Sequence, residues 1–374
     1  MRPAFMIAAT FLAASLAACT GSKAEASAPD SLTWTISEAD GPDTVQLELS
    51  YRSASTRSTH SSPVALDEMQ GLSPAQLGSA TGEPVRFRIV RDSGDFECRG
   101  TMRRRHGGGE CTFIVSPAFA TGLARHGIGT PSVAQAFSMA ISNIGLAYVE
   151  ELEGQHYARP SVDNLVQAGN HGAGLEYLKA MGGLGYRVGT VENLVRMRDH
   201  GVTADFVRQI AQAGLRDVSP AQLVEMRDHG VSPDFIGELR GLGYRDVPIS
   251  ALIRLRDHGV SADYVRELAG HGVRGVALTD LISLRDHGVT ANFVGALRRH
   301  GFGRFRPADI ISLRDHGVTE DFVGGIKALG YDSLSAQELI RLRIHGVTPD
   351  FARRANAAGP RRSVEELVKL RIGS

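Results

Sequence analysis

The sequence Arg198-Asp199-His200-Gly201-Val202 recurs along this chain at a fixed interval, and the recurrence determines its architecture. The same five letters, RDHGV, stand at 227–231, 256–260, 285–289 and 314–318, and RIHGV stands at 343–347. Successive histidines lie 29 residues apart, and one further step back leads to His171-Gly172. A period this strict is typical of a repeat array, in which each unit packs against its neighbours.

One period reads as two short helices joined by a Gly-Val turn. Ser219 and Gln222 have the capping-box spacing that starts the first helix. Gly230 is predicted to take the left-handed conformation that ends this helix, with Val231 folding back as in a Schellman motif. Ser232 then caps the second helix at once. Helices of ~10 residues are marginal alone, so stacking of repeats has to supply the core.

Apolar columns at the same period support this interpretation, and core packing explains them. The aromatic column is Tyr177, Phe206, Phe235, Tyr264, Phe293, Phe322 and Phe351. Ahead of the array, apolar residues at helical spacing over 133–152 predict one longer helix that covers its start.

The amino-terminal third alternates apolar and polar residues, which predicts a small antiparallel sheet over 31–115. The polar stretch 52–62 is predicted as a loop. A hairpin centred near Arg104–Arg105 would place Cys98 opposite Cys111, within disulfide range. The arginine-rich tip of this hairpin is predicted to be exposed.

The N-terminus has the pattern of a secretory signal. Arg2 precedes an apolar run from Ala4 to Leu16, which predicts a signal peptide over 1–18. The sequence Leu16-Ala17-Ala18-Cys19 resembles the lipobox of bacterial lipoproteins. The resemblance implies cleavage before Cys19 and a diacylglycerol on its sulfur. The alternative is an ordinary signal peptide that happens to be followed by a cysteine.

Two further features agree with export. Thr20, which is not Asp, implies the outer membrane under the sorting rule of enteric bacteria. If Cys19 is acylated, Cys98 and Cys111 remain as an even pair in an oxidising compartment.

The polar residues of the repeated motif have structural and functional interpretations. Arg227 is expected to pair with a first-turn acid such as Asp234, or to cap carbonyl groups, and His229 suits the end of a helix. Asp228 opposes the helix dipole there, so we expect it to accept from N–H groups of the following helix or from an arginine of the next repeat. The candidate binding surface is therefore Asp199, His200, Asp228, His229, Asp257, His258, Asp286, His287, Asp315 and His316.

Several classes of function are not predicted. The formal net charge is +0, so no overall field favours nucleic acid. Stacked helices lie ~8–10 Å apart, too far for neighbouring histidines to share an ion, and we expect no metal and no cofactor. The chain contains no H-E-x-x-H, G-x-S-x-G or P-loop motif, so an enzyme is not expected.

The 29-residue units over about 161–372 resemble helical arrays found in bacterial envelope proteins, including the tails of some BlaR-like metallopeptidase homologues. In those proteins the peptidase is a separate part with its own zinc motif, which this chain lacks. The resemblance implies an architecture and an envelope setting, and no activity.

Together these patterns predict an α+β protein that is mainly α, with a small antiparallel β-domain followed by an α-solenoid of two-helix repeats. The expected order is signal peptide 1–18, lipidated tether 19–30, β-domain 31–115, cap helices 116–160 and solenoid 161–374. The expected function is a non-catalytic binding or scaffold module. Its expected partners are the membrane, through the lipid, and an unidentified envelope protein. The expected location is the outer membrane, facing the periplasm. A sensory component of an envelope signalling system and a hydrolase of unknown type are the alternatives.

Overall fold

The computed structural model describes residues 31–39, 41, 43–52, 57–302, 305–357 and 359–373. The predicted signal peptide and tether, including Cys19, lie outside the described residues. About half of the chain is helical and a curled seven-stranded antiparallel sheet is also present, so the predicted fold class is confirmed. In the described part, no helix is both long and apolar enough to cross a membrane.

The chain divides into two compact units. The sheet unit comprises the described residues of Met1–Leu146 together with Ser161–Val166. The array unit comprises those of Ala147–Pro160 and Gln167–Ser374.

The sheet has the order β3-β2-β1-β7-β6-β5-β4, and every neighbouring pair is antiparallel. A 3-10 turn, Leu66–Glu68, precedes β4, and α1, Pro74–Gly78, follows it. The strands are β1 Ser31–Glu38, β2 Thr44–Arg52, β3 Arg57–Ala65, β4 Met69–Gln70, β5 Glu83–Ile89, β6 Gly94–Arg103 and β7 His106–Val115.

The prediction of a loop over 52–62 was wrong at Arg52, which belongs to β2, and over 57–62, because β3 begins at Arg57 and pairs with β2 along its whole length. Residues 53–56 of the predicted loop lie outside the described residues. Its sequence, RSTHSSPVA, is polar because β3 is an edge strand with little buried surface. Polar residues and a proline are common on such edges, where they discourage pairing with other chains. The alternation rule therefore had no apolar face to detect.

The predicted β6–β7 hairpin is confirmed, including its register. Cys98 lies opposite Cys111 and forms the disulfide, with a Cα–Cα distance of 4.1 Å. Arg104 and Arg105 form the two-residue turn with φ of 48° and 62°, the left-handed pair that a type I′ turn needs. Arg104 is exposed as predicted, whereas Arg105 is half-buried and donates from Nη2 to the Thr44 carbonyl at 3.1 Å.

Glycines let the single tryptophan lie against the sheet. The Trp34 indole donates from Nε1 to the Arg99 carbonyl at 3.1 Å. A Cβ on Gly100 would come within 2.6 Å of the Trp34 ring, and one on Gly109 within 2.8 Å. Larger residues at these two positions would therefore displace the indole from the core of the sheet unit.

One helix of the sheet unit packs against the sheet through an aromatic residue. Phe137 lies in α3, Val133–Ile141, and its ring is 4.9 Å from that of Tyr51 and 5.3 Å from that of Phe113, centroid to centroid. Both pairs are edge-to-face, the arrangement that aromatic quadrupoles favour.

The remaining helices alternate between two positions of the repeat. The first helices are α3 Val133–Ile141, α5 Val162–Asn170, α7 Val191–Asp199, α9 Pro220–Asp228, α11 Ile249–Asp257, α13 Leu278–Asp286, α15 Pro307–Asp315, α17 Ala336–Ile344 and α19 Val364–Ile372. The second helices are α2 Pro117–Arg125, α4 Leu146–Gly154, α6 Leu175–Gly183, α8 Ala204–Gln212, α10 Pro233–Gly241, α12 Ala262–Gly270, α14 Ala291–Arg299, α16 Glu320–Lys327 and α18 Pro349–Asn356.

The prediction of one long helix over 133–152 was wrong, since α3 ends at Ile141 and α4 begins at Leu146. Asn143 separates them with φ of 53°, and it stands 29 residues before Gly172 in the turn-glycine column. Asparagine adopts the left-handed conformation more readily than most residues. The two-helix pattern therefore continues through the segment for which a single capping helix was predicted.

Within the array unit, first helices contact the next first helix and second helices the next second helix, as in α9 with α11 and α10 with α12. The predicted capping box of Ser219 and Gln222 is present, and the Ser232 side chain accepts from Phe235 N. Leu223 and Met226 of a first helix and Leu239 of a second helix are fully buried.

Replacing both bridged cysteines with serine is expected to destabilise the sheet unit. A cross-link that closes a loop of this length contributes roughly 3 kcal/mol, mainly by restricting the unfolded chain. Trp34 is the only tryptophan, so its fluorescence in urea follows this unit, while far-UV circular dichroism follows the helices. An unchanged fluorescence midpoint in the Cys98→Ser/Cys111→Ser chain would contradict the expectation.

Candidate functional site

The glycine of the repeated motif ends the first helices from α5 to α17, as predicted. Gly230 has φ of 66°, a conformation that costs most other residues energy. Its N–H donates to the Arg227 carbonyl at 3.2 Å, and Val231 N–H donates to the Met226 carbonyl at 2.8 Å. These two bonds form the Schellman motif, and Val231 is 1% exposed.

The arginine of the motif lies over an aromatic ring of the preceding repeat. Its guanidinium carbon is 5.0 to 5.7 Å from the ring centroid in Arg198–Tyr177, Arg227–Phe206, Arg256–Phe235, Arg285–Tyr264, Arg314–Phe293, Arg343–Phe322 and Arg371–Phe351. A cation–π contact of this kind contributes about 0.5–1 kcal/mol at an exposed site. The aromatic column thus serves both the core and the contact between repeats.

The expected pairing of these arginines with first-turn acids was wrong. An acid such as Asp205 pairs instead with Arg208 on its own helix, at 2.5 Å. The alternative expectation, capping of carbonyl groups, holds at Arg343, whose Nε donates to the Gly317 carbonyl of the preceding turn at 2.8 Å.

The aspartate column accepts hydrogen bonds from the histidine column of the preceding repeat. The Nδ1–Oδ1 distance is 2.7 Å for His171–Asp199, 2.5 Å for His200–Asp228, 2.6 Å for His229–Asp257, 2.9 Å for His258–Asp286 and 2.9 Å for His287–Asp315. We call these five pairs the histidine–aspartate ladder. The partner expected for Asp228, an N–H group of the next helix or an arginine of the next repeat, was wrong.

The ladder stops where the sequence changes. His316 finds no aspartate in the next repeat, because Ile344 occupies that position, and its Nδ1 instead contacts the Ser312 carbonyl at 2.8 Å. Ile344 is 58% exposed. At the other end, Asn170 stands in the aspartate column.

The ladder lies at the surface, where the histidine and aspartate side chains are 38 to 46% exposed. A carboxylate on Nδ1 fixes the orientation of an imidazole and leaves Nε2 as its second functional atom. Each rung, however, combines only one histidine with one aspartate. Among the described residues, no three His, Cys, Asp or Glu side chains are grouped so that they could hold a metal ion.

Two tyrosines add a further contact between repeats. Tyr177 donates from its hydroxyl to the Val202 carbonyl at 2.7 Å, and Tyr264 donates to the Val289 carbonyl at 2.9 Å. Burial raises the pKa of each hydroxyl to about 12. Both phenols therefore remain donors at neutral pH.

All candidate residues from Asp199 to His316 thus lie in one row along the motif turns, and contacts between repeats account for their side-chain hydrogen bonds except at His316, which contacts its own helix. The sequence did contain a signal for these contacts, because each partner stands at a constant offset: 28 residues from histidine to aspartate, and 21 from aromatic residue to arginine in most repeats.

No protein-family model matches the chain, and no curated protein matches it.

Removing one carboxylate of the ladder is expected to destabilise the array slightly. Asp257→Ala leaves the His229 Nδ1 without its acceptor, and exposed charged pairs contribute ~0.2–1 kcal/mol. Conversely, Ile344→Asp supplies the missing acceptor for His316 and should shift the urea midpoint upward or leave it unchanged. A double-mutant cycle of His229→Ala with Asp257→Ala measures the coupling. Zero coupling, or a loss of stability in Ile344→Asp, would contradict the structural role of the ladder.

Above pH 10, Tyr177 and Tyr264 should make the array less stable. The pKa is near 10 in the unfolded chain and about 12 in the folded one, so folding favours the protonated phenol. This contribution is present below pH 10 and is lost as the pH rises towards 12. Urea midpoints should therefore fall more steeply with pH for the natural chain than for Tyr177→Phe/Tyr264→Phe. Equal slopes would count against the burial of these hydroxyls.

Proposed function

We propose that this protein is a lipid-anchored component of the bacterial envelope that acts as a non-catalytic binding or scaffold module. The supporting observation is the architecture: repeats that contact their neighbours through buried columns present their remaining side chains at regular spacing along the array. Such surfaces suit extended protein partners. The likeness of the repeats to the tails of BlaR-like metallopeptidases is part of this proposal.

The envelope setting is supported by two independent features of the chain. The disulfide between Cys98 and Cys111 belongs to the kind of bond that persists in oxidising compartments. The lipobox-like Leu16-Ala17-Ala18-Cys19 would attach the mature chain to a membrane surface, with the outer membrane as the proposed location.

A photo-crosslinking experiment in bacteria tests the binding function with the full chain. A photoreactive residue in place of Glu225 or Arg254, both exposed on first helices, should give discrete adducts with other envelope proteins. The same residue in place of the exposed strand residue Thr33 serves as the matched control. Cys19→Ala should release the chain from the membrane fraction.

Absence of adducts at every array position would contradict the binding function. Retention of the Cys19→Ala chain in membranes would contradict the lipid anchor without bearing on binding. The two parts of the proposal are therefore tested separately.

A further inference from the structure

A groove in the array unit lies away from the histidine–aspartate ladder. It runs between the end of α6, the helix α8 and the connection from α8 to α9, and its volume is about 770 Å³. Pockets for small ligands generally measure ~300–1,000 Å³, so this groove is large enough to take at least one side chain of a partner. The floor is apolar and includes Val207, Ile210 and Leu215.

Three arginines line this groove. Arg208 already pairs with Asp205 at 2.5 Å. In the described part of the chain, Arg187 and Arg216 form no ion pair with a carboxylate, and both are exposed. Asp217 is the one acid among the lining residues, so positive charge is in excess.

The walls of the groove are held by local contacts. Tyr186 donates from its hydroxyl to the Val218 carbonyl at 2.9 Å, which ties the end of one repeat to the connection in the next. Asp217 adopts a left-handed conformation with φ of 56°. The groove is therefore shaped by the fold before any partner arrives.

The equivalent groove three repeats later is nearly filled. Its volume is about 100 Å³, and Phe302 and Phe305 stand where the first groove has Leu215 and Val218. The two rings stack with centroids 6.0 Å apart. Smaller side chains thus keep the first groove open, and the second shows how it can be closed within the same fold.

An apolar floor beside two unpaired guanidinium groups is complementary to an acidic chain that carries an apolar side chain. Arginine binds carboxylates through two parallel hydrogen bonds, which makes such pairs strong and directional. An anionic membrane surface fits less well, because such surfaces attract clusters of about 4–8 basic residues and the chain has a net charge of +0.

We propose that this groove docks an extended acidic segment of a partner protein, with one apolar side chain on the floor and carboxylates on Arg187 and Arg216. The inference rests on the proposed binding function and assigns it a site and a partner chemistry. It moves the binding surface from the repeated motif to the opposite turns of the repeat.

The test uses the full chain and a fluorescein-labelled peptide, Asp-Glu-Leu-Glu-Asp, in an anisotropy titration. Binding should saturate and weaken as salt is added. Arg187→Gln/Arg216→Gln should weaken it about tenfold or more, since charge-assisted bonds contribute this much each. The matched control, Arg196→Gln/Arg245→Gln, removes two exposed arginines outside the groove and should bind as the natural chain does.

A second variant keeps the arginines and fills the groove. Leu215→Phe/Val218→Phe copies the aromatic pair of the closed groove and should also abolish saturable binding. Circular dichroism and thermal unfolding establish that both variants are folded. The proposal is overturned if the natural chain does not bind, if either groove variant binds normally, or if a peptide with lysines in place of the acids binds equally well.

Two further arms separate this proposal from others. Sedimentation with phosphatidylglycerol vesicles that is lost in Arg187→Gln/Arg216→Gln, without peptide binding, would identify a membrane site instead. Envelope cross-links that persist in both groove variants would contradict the groove as the binding site and would still support the binding function. Peptide binding without any envelope cross-link would support the groove as a binding site and contradict the proposed function in the envelope.

Discussion

Helices of eight or nine residues are marginal in water, and every helix of the array has this length. Contact between neighbouring repeats is therefore the condition on which the array depends. The motif Arg-Asp-His-Gly-Val provides much of that contact. Its arginine covers the ring of the preceding repeat, its aspartate accepts from the preceding histidine, and its histidine donates to the following aspartate. Glycine makes the turn and valine enters the core.

The polar and apolar parts of this contact contribute differently to the free energy of folding. Each ladder pair is exposed and contributes little by itself, whereas core residues such as Leu223 and Met226 are completely buried. The columns of buried side chains supply most of the stability, and the ladder fixes how successive turns face each other. Each ladder histidine and aspartate already uses one of its hydrogen-bonding atoms in a contact between repeats. Arginines without an ion-pair partner, such as Arg187 and Arg216, are therefore the stronger candidates for recognition of a partner.

The features that sequence reasoning predicted correctly are local ones. The capping box at Ser219, the turn at Gly230 and the pairing of Cys98 with Cys111 depend on residues close together in the chain. The errors share a cause as well. The strand at Arg57 carries no apolar face because it is an edge, and the break at Asn143 uses asparagine where the other turns use glycine. The strand and the turn both have ordinary backbone geometry. The residue types that usually indicate a strand or a turn are missing at these positions.

The repeat, its period, its two helices and its core residues could be derived from the sequence alone, because periodicity and helix capping depend on residues close together in the chain. The contacts of the polar residues in Arg-Asp-His-Gly-Val depend instead on how the helices pack, since their partners lie 21 to 28 residues away and belong to another repeat. The open groove beside Arg216 was likewise invisible in the sequence. It exists because Leu215 and Val218 leave space that Phe302 and Phe305 fill elsewhere, and such space appears only once the helices are packed.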